Sequence, residues 1–234
     1  MAFLWVVAGL AIAAGLLVCK VPYITLCNPG LSMHVNTEPA APSIYLASRS
    51  PRRAEILQQL GVSFSVLPSD IDESLLDGEL PEQYVLRLAA AKTVACMERL
   101  VSGHAADCPV LAADTAVSID GLVLGKPVDD EDARAMLRRM SGRWHEVHTG
   151  LALATRHGVE TALSSTRVQF AVLSEDDIAA YVASGESRDK AGAYGIQGLA
   201  GIFVQRIEGS HTGVMGLPVH DTARLLKNAG IPIL

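Results

Sequence analysis

The sequence predicts an α/β domain in which a mixed β-sheet is flanked by helices. From Ser43 onward, short runs of β-branched and large apolar residues alternate with stretches of helical periodicity, which is typical of this fold class. Of the 234 residues, 50% are hydrophobic and 19% are charged, so the composition excludes disorder, collagen and a coiled coil. The length suits one large core with an additional segment.

The first predicted unit is a strand that turns into a helix. Residues 43–47 form an apolar run with strand character. Ser50 has the residue type of an N-cap, Pro51 suits the first helical position, and Gly61 ends the helix. We therefore expect a helix N-terminus directly after the first strand.

The remaining elements follow from similar local signals. An Asp-Gly dipeptide at residues 120–121 predicts a hairpin turn, and residues 174–177 have the pattern of a capping box. In chain order we predict a strand at 63–67, an acidic loop at 70–79, a helix at 81–100, a strand at 109–118, a helix at 130–140, paired strands at 144–155 and 159–173, a helix at 174–184, a glycine-rich loop at 185–201, a strand at 202–207 and a helix at 218–228.

The charge and the cysteines exclude several classes of partner and site. With 19 Lys and Arg against 25 Asp and Glu, the net charge is −6, so nothing attracts the chain to a nucleic-acid backbone. We expect no polymeric nucleic acid as a partner. The 4 cysteines form no C-x-x-C pair and have no histidine at metal-ligand spacing, which favours free thiols in a reducing compartment.

The front of the chain differs from the rest, and we assign residues 1–42 to an apolar extension and linker ahead of a domain at residues 43–234. Residues 3–18 are apolar and uncharged, and their length is borderline for a bilayer span, which takes about 20 residues. They also lack the basic start and the cleavage site of a secretory signal. Two interpretations stay open: a dispensable or mis-assigned extension, with Met33 as the start, or a membrane anchor through residues 1–20. We favour the first and expect a cytoplasmic protein.

A cluster of hydroxyl and guanidinium groups lies where the first strand meets its helix. It comprises Ser48, Arg49, Ser50, Arg52 and Arg53. A helix N-terminus offers unpaired N–H groups and the positive end of the helix dipole, which together with these side chains suit phosphate oxygens. The pattern predicts an anion site, with a solvated helix start as the alternative.

Asp114 is the most unusual residue of the predicted strands, because it interrupts an otherwise apolar run. Burial of a carboxylate is costly unless a cation, a metal or hydrogen-bond donors compensate, so this position favours a functional role over a structural one. The acidic loop carries Asp70, Asp72 and Glu73. If Asp72 or Glu73 approached Asp114, their oxygens would suit Mg²⁺ or Mn²⁺.

Other polar residues support an anionic, nucleotide-like ligand. Lys92 interrupts an apolar helix face, and Lys126 follows a short strand in a Gly-Lys-Pro segment whose spacing excludes a Walker A loop. Gln197 lies in a glycine-dense segment, where its amide could both donate to and accept from a base edge. His145 and His148 lack the spacing of a metalloprotease helix, and we expect them to be structural.

Eight motifs in one order resemble the Maf family of nucleoside triphosphate pyrophosphatases. The resemblance covers residues 43–234 and leaves the extension unexplained. The motifs are SPRR at 50–53, IDE at 71–73, an LAxxK helix ending at Lys92, AADT at 112–115, GKP at 125–127, SGRxHxVxTG at 141–150, DKAGAYGIQG at 189–198 and GLP at 216–218.

The resemblance implies a two-lobed α/β fold like that of inosine triphosphatase, with a long mixed sheet and a central cleft, often as a homodimer. It implies hydrolysis of a nucleoside triphosphate to the monophosphate and pyrophosphate with Mg²⁺ or Mn²⁺, in a house-cleaning role. Asp114 would be the proton acceptor and, with Glu73, a metal ligand. The residues that would bind phosphate are Ser48, Arg53, Lys92 and Lys126.

Within the family, Arg52, Thr115 and Gln197 resemble the branch that acts on dTTP and UTP. A Gln amide that is locked in orientation matches the O4 acceptor and N3 donor of uracil or thymine and opposes cytosine. The alternatives are a pyrophosphatase of the 7-methyl-GTP type, a non-catalytic nucleotide-binding regulator of cell division or septum formation, and a membrane-tethered scaffold.

We predict that a shortened chain beginning at Met33 folds and is as active as the full chain, because every motif of the resemblance lies after residue 42. Thermal unfolding and pyrophosphate release from UTP, compared between both chains, check this. An inactive or unfolded short chain would mean that the front segment packs on the domain. Recovery of the full chain only in membranes would contradict the cytoplasmic expectation.

Overall fold

A computed structural model of the chain describes residues 43–102 and 108–233. The predicted extension at residues 1–42 lies outside these residues, so the assignment of its boundary stays a prediction. Among the helices of the described part, none combines the length and the hydrophobicity needed to cross a membrane.

The described residues form an α/β fold with a seven-stranded mixed sheet, which confirms the predicted fold class. The strands are β1 (Ile44–Leu46), β2 (Phe64–Val66), β3 (Val110–Ile119), β4 (Leu122–Leu124), β5 (Trp144–Thr155), β6 (Gly158–Phe170) and β7 (Val204–Glu208). The helices are α1 (Pro51–Gln59), α2 (Pro81–Ser102), α3 (Asp130–Met140), α4 (Glu175–Ala183), α5 (His211–Val214) and α6 (Val219–Asn228), with 3₁₀ turns at Ala191–Ala193 and Leu199–Phe203.

Most predicted elements are present, but two strands have different ends and one short helix was not predicted. β6 stops at Phe170 instead of residue 173, because the chain then turns onto the end of α3, where the Ser141 hydroxyl accepts a hydrogen bond from the Leu173 amide at 2.7 Å. The last strand starts at Val204 instead of residue 202, because a 3₁₀ turn precedes it. The four-residue helix α5 was not predicted, since one turn is too short to give a periodic pattern.

The order of strands leaves part of one edge of β3 free. The sheet runs β2-β1-β3-β5-β6-β7, and β4 pairs with the far end of β3. β1 is parallel to β3 and reaches only Leu111, whereas β4 begins its antiparallel pairing at Val117. Within the described residues, positions 112–116 therefore have no strand partner on this side. A gap of this kind at the carboxyl end of β1 is where α/β sheets commonly bind ligands.

Helices cover both faces of the sheet. On one face of the sheet, α2 packs against small residues of β3 and β5. On the other face, α1 and α6 pack against larger residues. α3 and α4 cover the end of the sheet that contains Val117 and Ile119 of β3. The small sheet residues under α2 are Ala112 and Ala154, and they pack against Cys96 and Leu100 of the helix. Small side chains allow the long helix to lie close to the sheet.

α2 lies very close to the sheet at Gly150 of β5. A Cβ at this position would lie 2.4 Å from the backbone oxygen of Val85 and 2.6 Å from its carbonyl carbon, which real atoms do not tolerate. Only glycine therefore permits this distance between the helix and the sheet. Lys92 lies seven residues after Val85, on the same face of α2, so the contact also fixes how near Lys92 comes to β3.

We predict that Gly150→Ala lowers the free energy of unfolding by about 1–3 kcal/mol, because α2 must move away from β5 to admit the methyl group. Urea unfolding of the purified variant measures the change. Gly125→Ala is the matched control, since a Cβ there meets no atom within 4 Å. Equal stability of the two variants would contradict the packing argument.

Candidate active site

A cleft of about 960 Å³ opens at the free edge of β3. The loop after β1, the acidic loop, the segment after β4 and the glycine-rich loop surround it. The residues assigned to the site from sequence line this cleft, with the exception of Asp114. Asp114 lies behind the lining, where its carboxylate accepts a hydrogen bond from Lys92. The lining residues predicted from sequence are Ser48, Arg52, Arg53, Glu73, Lys92, Thr115, Lys126 and Gln197.

Lys92 joins two carboxylates at the base of the cleft. Its Nζ lies 2.6 Å from Oδ1 of Asp114 and 2.7 Å from Oε1 of Glu73. Lys92 and Asp114 are each only 8% exposed. Burial raises the pKa of Asp114 above its ordinary value, although the ammonium of Lys92 opposes the shift. Asp114 is thus a carboxylate of increased basicity, and Glu73 lies near it because both carboxylates contact the same ammonium group.

The acidic loop is fastened to α2, and this attachment brings Glu73 to Lys92. The Tyr84 hydroxyl donates to the backbone oxygen of Glu73 at 2.9 Å, and Arg87 donates to the backbone oxygen of Ser74 at 3.0 Å. Partial burial and the nearby carboxylates of Asp114 and Glu73 raise the pKa of Tyr84 to about 12, so this hydroxyl remains a donor at neutral pH. The loop is therefore anchored to α2 and lines the cleft near Glu73, while residues 72–78 remain exposed to solvent.

Arg53 connects three segments around the cleft. Its Nε donates to the Gly216 carbonyl at 2.8 Å, Nη1 to the Ser48 hydroxyl at 3.0 Å, and Nη2 to the Thr115 hydroxyl at 3.3 Å. Burial lowers the pKa of Arg53, and no carboxylate among the described residues forms an ion pair with it. Arg53 therefore positions Ser48 and Thr115, and its direct contact with phosphate stays a prediction.

Arg52 and Lys126 are different, because neither forms a hydrogen bond or an ion pair with any described residue. Arg52 is half-buried and Lys126 is exposed, and both face the cleft. Arg49, by contrast, pairs with Asp70 through contacts of 2.8 and 3.1 Å. Both partners are well exposed, so the pair adds little stability. Arg52 and Lys126 are thus the cations available to an incoming anion.

The N-terminus of α1 also has the features of an anion-binding site. Ser50 is the N-cap, yet its side chain makes no capping hydrogen bond, and the first turn contains no acidic residue. The amide of Ser50 instead donates to the Ser48 hydroxyl at 3.2 Å. The free N–H groups and the helix dipole therefore face the cleft without a protein anion to satisfy them.

Gln197 lies on the opposite wall, in a tight turn. The Gly198 amide donates to the Gly195 carbonyl at 3.0 Å, which closes the turn around Gln197. The side chain is exposed and has no hydrogen-bond partner in the described part of the chain. The amide is therefore not locked by a neighbouring side chain, as the uracil preference would require, and its position depends on the backbone of the turn.

Comparisons with known proteins identify the family of this chain. The family model described as Maf-like protein matches residues 43–229. This chain belongs to the Maf family. It is 64% identical over 190 residues to a dTTP/UTP pyrophosphatase of Methylobacillus flagellatus, an alignment that covers 81% of this chain and 94% of that protein.

Other relatives of the family carry the same name. A dTTP/UTP pyrophosphatase of Hahella chejuensis is 51% identical over 83% of this chain and 96% of its own length. A third dTTP/UTP pyrophosphatase, from Pasteurella multocida, is 48% identical over 81% of this chain and 96% of its own length. A structure of the Staphylococcus aureus Ham1 protein has a TM-score of 0.37 and 14% identity, covering 54% of this chain and 71% of that one, and no conclusion rests on it.

Sequence reasoning passed over Glu186, which also lines the cleft of this Maf-family protein. It lies just before the DKAGAYGIQG motif and is a common residue in an exposed loop, so neither its type nor its spacing gives a signal. Its contacts appear only when the glycine-rich loop folds back on the end of α4.

The two histidines of the SGRxHxVxTG motif are buried in β5, in line with a structural role. The ring of His148 contacts the Ser118 and Ser165 hydroxyls at 3.1 and 2.9 Å. Nε2 of His145 lies 2.8 Å from the Tyr194 hydroxyl, below the cleft wall. Burial lowers the pKa of His145 to about 4, so its ring is neutral near neutral pH.

The low pKa of His145 makes the stability of the fold depend on pH. Below about pH 6.5 the unfolded chain gains a proton on this ring, whereas the folded protein gains it only near pH 4. The stability present above pH 6.5 is therefore lost progressively as the pH falls toward 4.

We predict that His145→Gln reduces the loss of unfolding free energy between about pH 7.5 and about pH 5 by roughly 2 kcal/mol, because an amide gains no proton. Urea unfolding at both pH values measures the difference. His157→Gln removes an exposed histidine and serves as the control, which should keep the wild-type pH dependence. If both variants behave alike, another group causes the effect.

Proposed function

We propose that this protein hydrolyses UTP and dTTP between the α and β phosphates, releasing the monophosphate and pyrophosphate in a house-cleaning role. The observation that carries the proposal is the buried Lys92 between Asp114 and Glu73, at the base of a cleft whose other wall carries unpaired cations. Support comes from the three relatives described above, each named a dTTP/UTP pyrophosphatase and each covered almost completely.

Charge neutralisation is the first requirement, since a triphosphate brings about four negative charges to a protein of net charge −6. Arg52 and Lys126 form no ion pair among the described residues and would contact phosphate oxygens directly. The N-terminus of α1 and the Ser48 hydroxyl would bind a further oxygen, while Arg53 holds Ser48 in place. These donors surround the cleft before substrate enters, so binding needs little rearrangement.

A divalent cation fits the carboxylates present. One ammonium nitrogen touches both Glu73 and Asp114, so the two carboxylates are close enough to share a cation. The described residues contain no group of three side chains suited to hold a metal alone. Mg²⁺ and Mn²⁺ commonly bind one or two carboxylates together with substrate phosphates, which matches this donor set. When bound, the cation would supply charge neutralisation at the reacting phosphate.

Asp114 is the proposed base. Its raised pKa favours acceptance of a proton from the attacking water, while Lys92 holds the carboxylate in a fixed direction. As the water oxygen bonds to phosphorus, its proton passes to Asp114 and the anhydride bond to the pyrophosphate group breaks. Lys92 would also stabilise the charge that develops on the phosphate oxygens.

The base preference is proposed from Arg52, Thr115 and Gln197. We expect UTP and dTTP to be hydrolysed in preference to CTP and purine triphosphates, since the Gln197 amide faces the cleft from a turn whose backbone hydrogen bond fixes its position. The thymine methyl adds only about 1–3 kcal/mol of discrimination, so both pyrimidines are accepted. A wild-type preference for 7-methyl-GTP would contradict this assignment.

The proposed setting is the cytoplasm, with a nucleoside triphosphate as the partner and a homodimer as the assembly. A nucleotide-binding regulator without turnover is the competing function. Pyrophosphate release from UTP with Mg²⁺ or Mn²⁺ distinguishes the two, because a regulator would bind UTP and leave it intact.

We predict that Asp114→Asn lowers kcat for UTP by roughly 10²–10⁴-fold, because the amide keeps the shape of the carboxylate but cannot accept the proton. Pyrophosphate release measures the rate, and calorimetric titration with UTP tests whether binding remains. Asp176→Asn, an exposed aspartate on α4, is the control and should be fully active. Near wild-type turnover in Asp114→Asn would rule out its role as base.

A further inference from the structure

We infer that Glu186 is a positioning residue that holds the Gln197 turn in the cleft and thereby sets the base preference. This inference rests on the proposed function. Glu186 itself is half-buried and lines the cleft, between α4 and the DKAGAYGIQG motif.

The carboxylate of Glu186 accepts hydrogen bonds from three groups of the protein. Its Oε2 accepts from the Leu199 amide at 2.9 Å, and its Oε1 accepts from the Ala200 amide at 3.5 Å. Oε1 also accepts from the Tyr181 hydroxyl of α4 at 3.1 Å. The carboxylate therefore joins the end of α4 to the backbone that immediately follows Gln197.

Gly198 shows how closely the turn packs on this carboxylate. A Cβ on Gly198 would lie 2.3 Å from Oε2 of Glu186 and 2.4 Å from its Cδ. The turn is thus seated directly on the carboxyl plane, which only a residue without a side chain permits. This contact explains the glycine of the IQG segment.

Lys190 holds the other end of the turn. Its Nζ donates to the backbone oxygen of Glu186 at 2.7 Å and to Oδ1 of Asp189 at 2.8 Å. A Cβ on Gly195 would lie 2.7 Å from Cε of Lys190. Gln197 is therefore carried between two glycines, each packed against a charged side chain that is tied to the segment 186–190.

This arrangement matters for the base because Gln197 has no side-chain hydrogen bond among the described residues. Its amide can present a consistent donor and acceptor only if the turn backbone stays in place. None of the hydrogen bonds of Glu186 reaches Lys92, Asp114 or Glu73. Loss of Glu186 should thus affect recognition of the base more than the chemical step.

The test compares UTP and CTP hydrolysis by full-length variants of the protein. We expect Glu186→Ala to raise KM for UTP about tenfold, to change kcat by less than about threefold, and to lower the UTP to CTP ratio of kcat/KM roughly tenfold. Glu186→Gln should retain most of the ratio, since its amide can still accept from Leu199 and donate to Tyr181. Glu175→Ala, an exposed carboxylate paired with Arg138, is the matched control and should keep the wild-type ratio.

A double-mutant cycle separates positioning from general destabilisation. If Glu186 acts through Gln197, then Glu186→Ala should not lower the ratio further in a chain that already carries Gln197→Ala. Additive effects of the two substitutions would overturn the inference, as would an unchanged ratio in Glu186→Ala. If Glu186→Ala fails to fold, Gly198→Ala takes its place in the cycle, because the added methyl group displaces the turn from the Glu186 carboxylate. A Gly198→Ala effect on the ratio that persists in the chain carrying Gln197→Ala overturns the inference.

Failure of the proposed function gives a different result. A wild-type protein that releases no pyrophosphate from UTP or dTTP contradicts the function itself. If the wild-type protein hydrolyses UTP in preference to CTP and Glu186→Ala keeps the same UTP to CTP ratio, only the role of Glu186 is contradicted.

Discussion

The close contact between α2 and the sheet at Gly150 is the constraint on which the site depends. Gly150 lies opposite Asp114 in the register of β5 and β3, and the missing Cβ lets α2 rest on the strand backbone. Two turns further along this helix, Lys92 comes within hydrogen-bond distance of Asp114. The acidic loop is anchored on the same helix and brings Glu73 to the same ammonium group. Helix packing thus assembles three charged groups that are far apart in sequence.

The free edge of β3 explains why this charged cluster is accessible. β1 ends after Leu46, so the chain turns away and α1 begins beside the gap rather than continuing the sheet. Arg53 then ties the start of α1 to Thr115 and Gly216 across the opening. Although the protein is acidic, its cleft carries the cations Arg52 and Lys126, which form no ion pair among the described residues. These cations attract a polyanion to the part of the molecule where Asp114 is buried.

Elements with strong local signals were predictable from the sequence. The Ser-Pro start of α1, the capping box at Ser174 and the Asp-Gly turn after β3 depend on residues within four positions of each other. The end of β6 was not, because it is set by a hydroxyl of Ser141 that reaches back from the end of α3. Glu186 was missed for the same reason, since its backbone partners Leu199 and Ala200 follow it by 13 and 14 residues in an irregular loop.

The sequence by itself determined the fold class, the order of the elements and membership of the Maf family, because periodicity, turn residues and motif order are properties of the chain alone. It also selected Asp114, since a carboxylate in an apolar strand is costly wherever the strand lies. Only the tertiary structure decided that Lys92 bridges Asp114 and Glu73. The same holds for Arg53, whose N–H groups donate to other residues of the protein, and for the contact between the Gln197 turn and Glu186. Each of these depends on distances between elements, and those distances are set by packing, which no local pattern records.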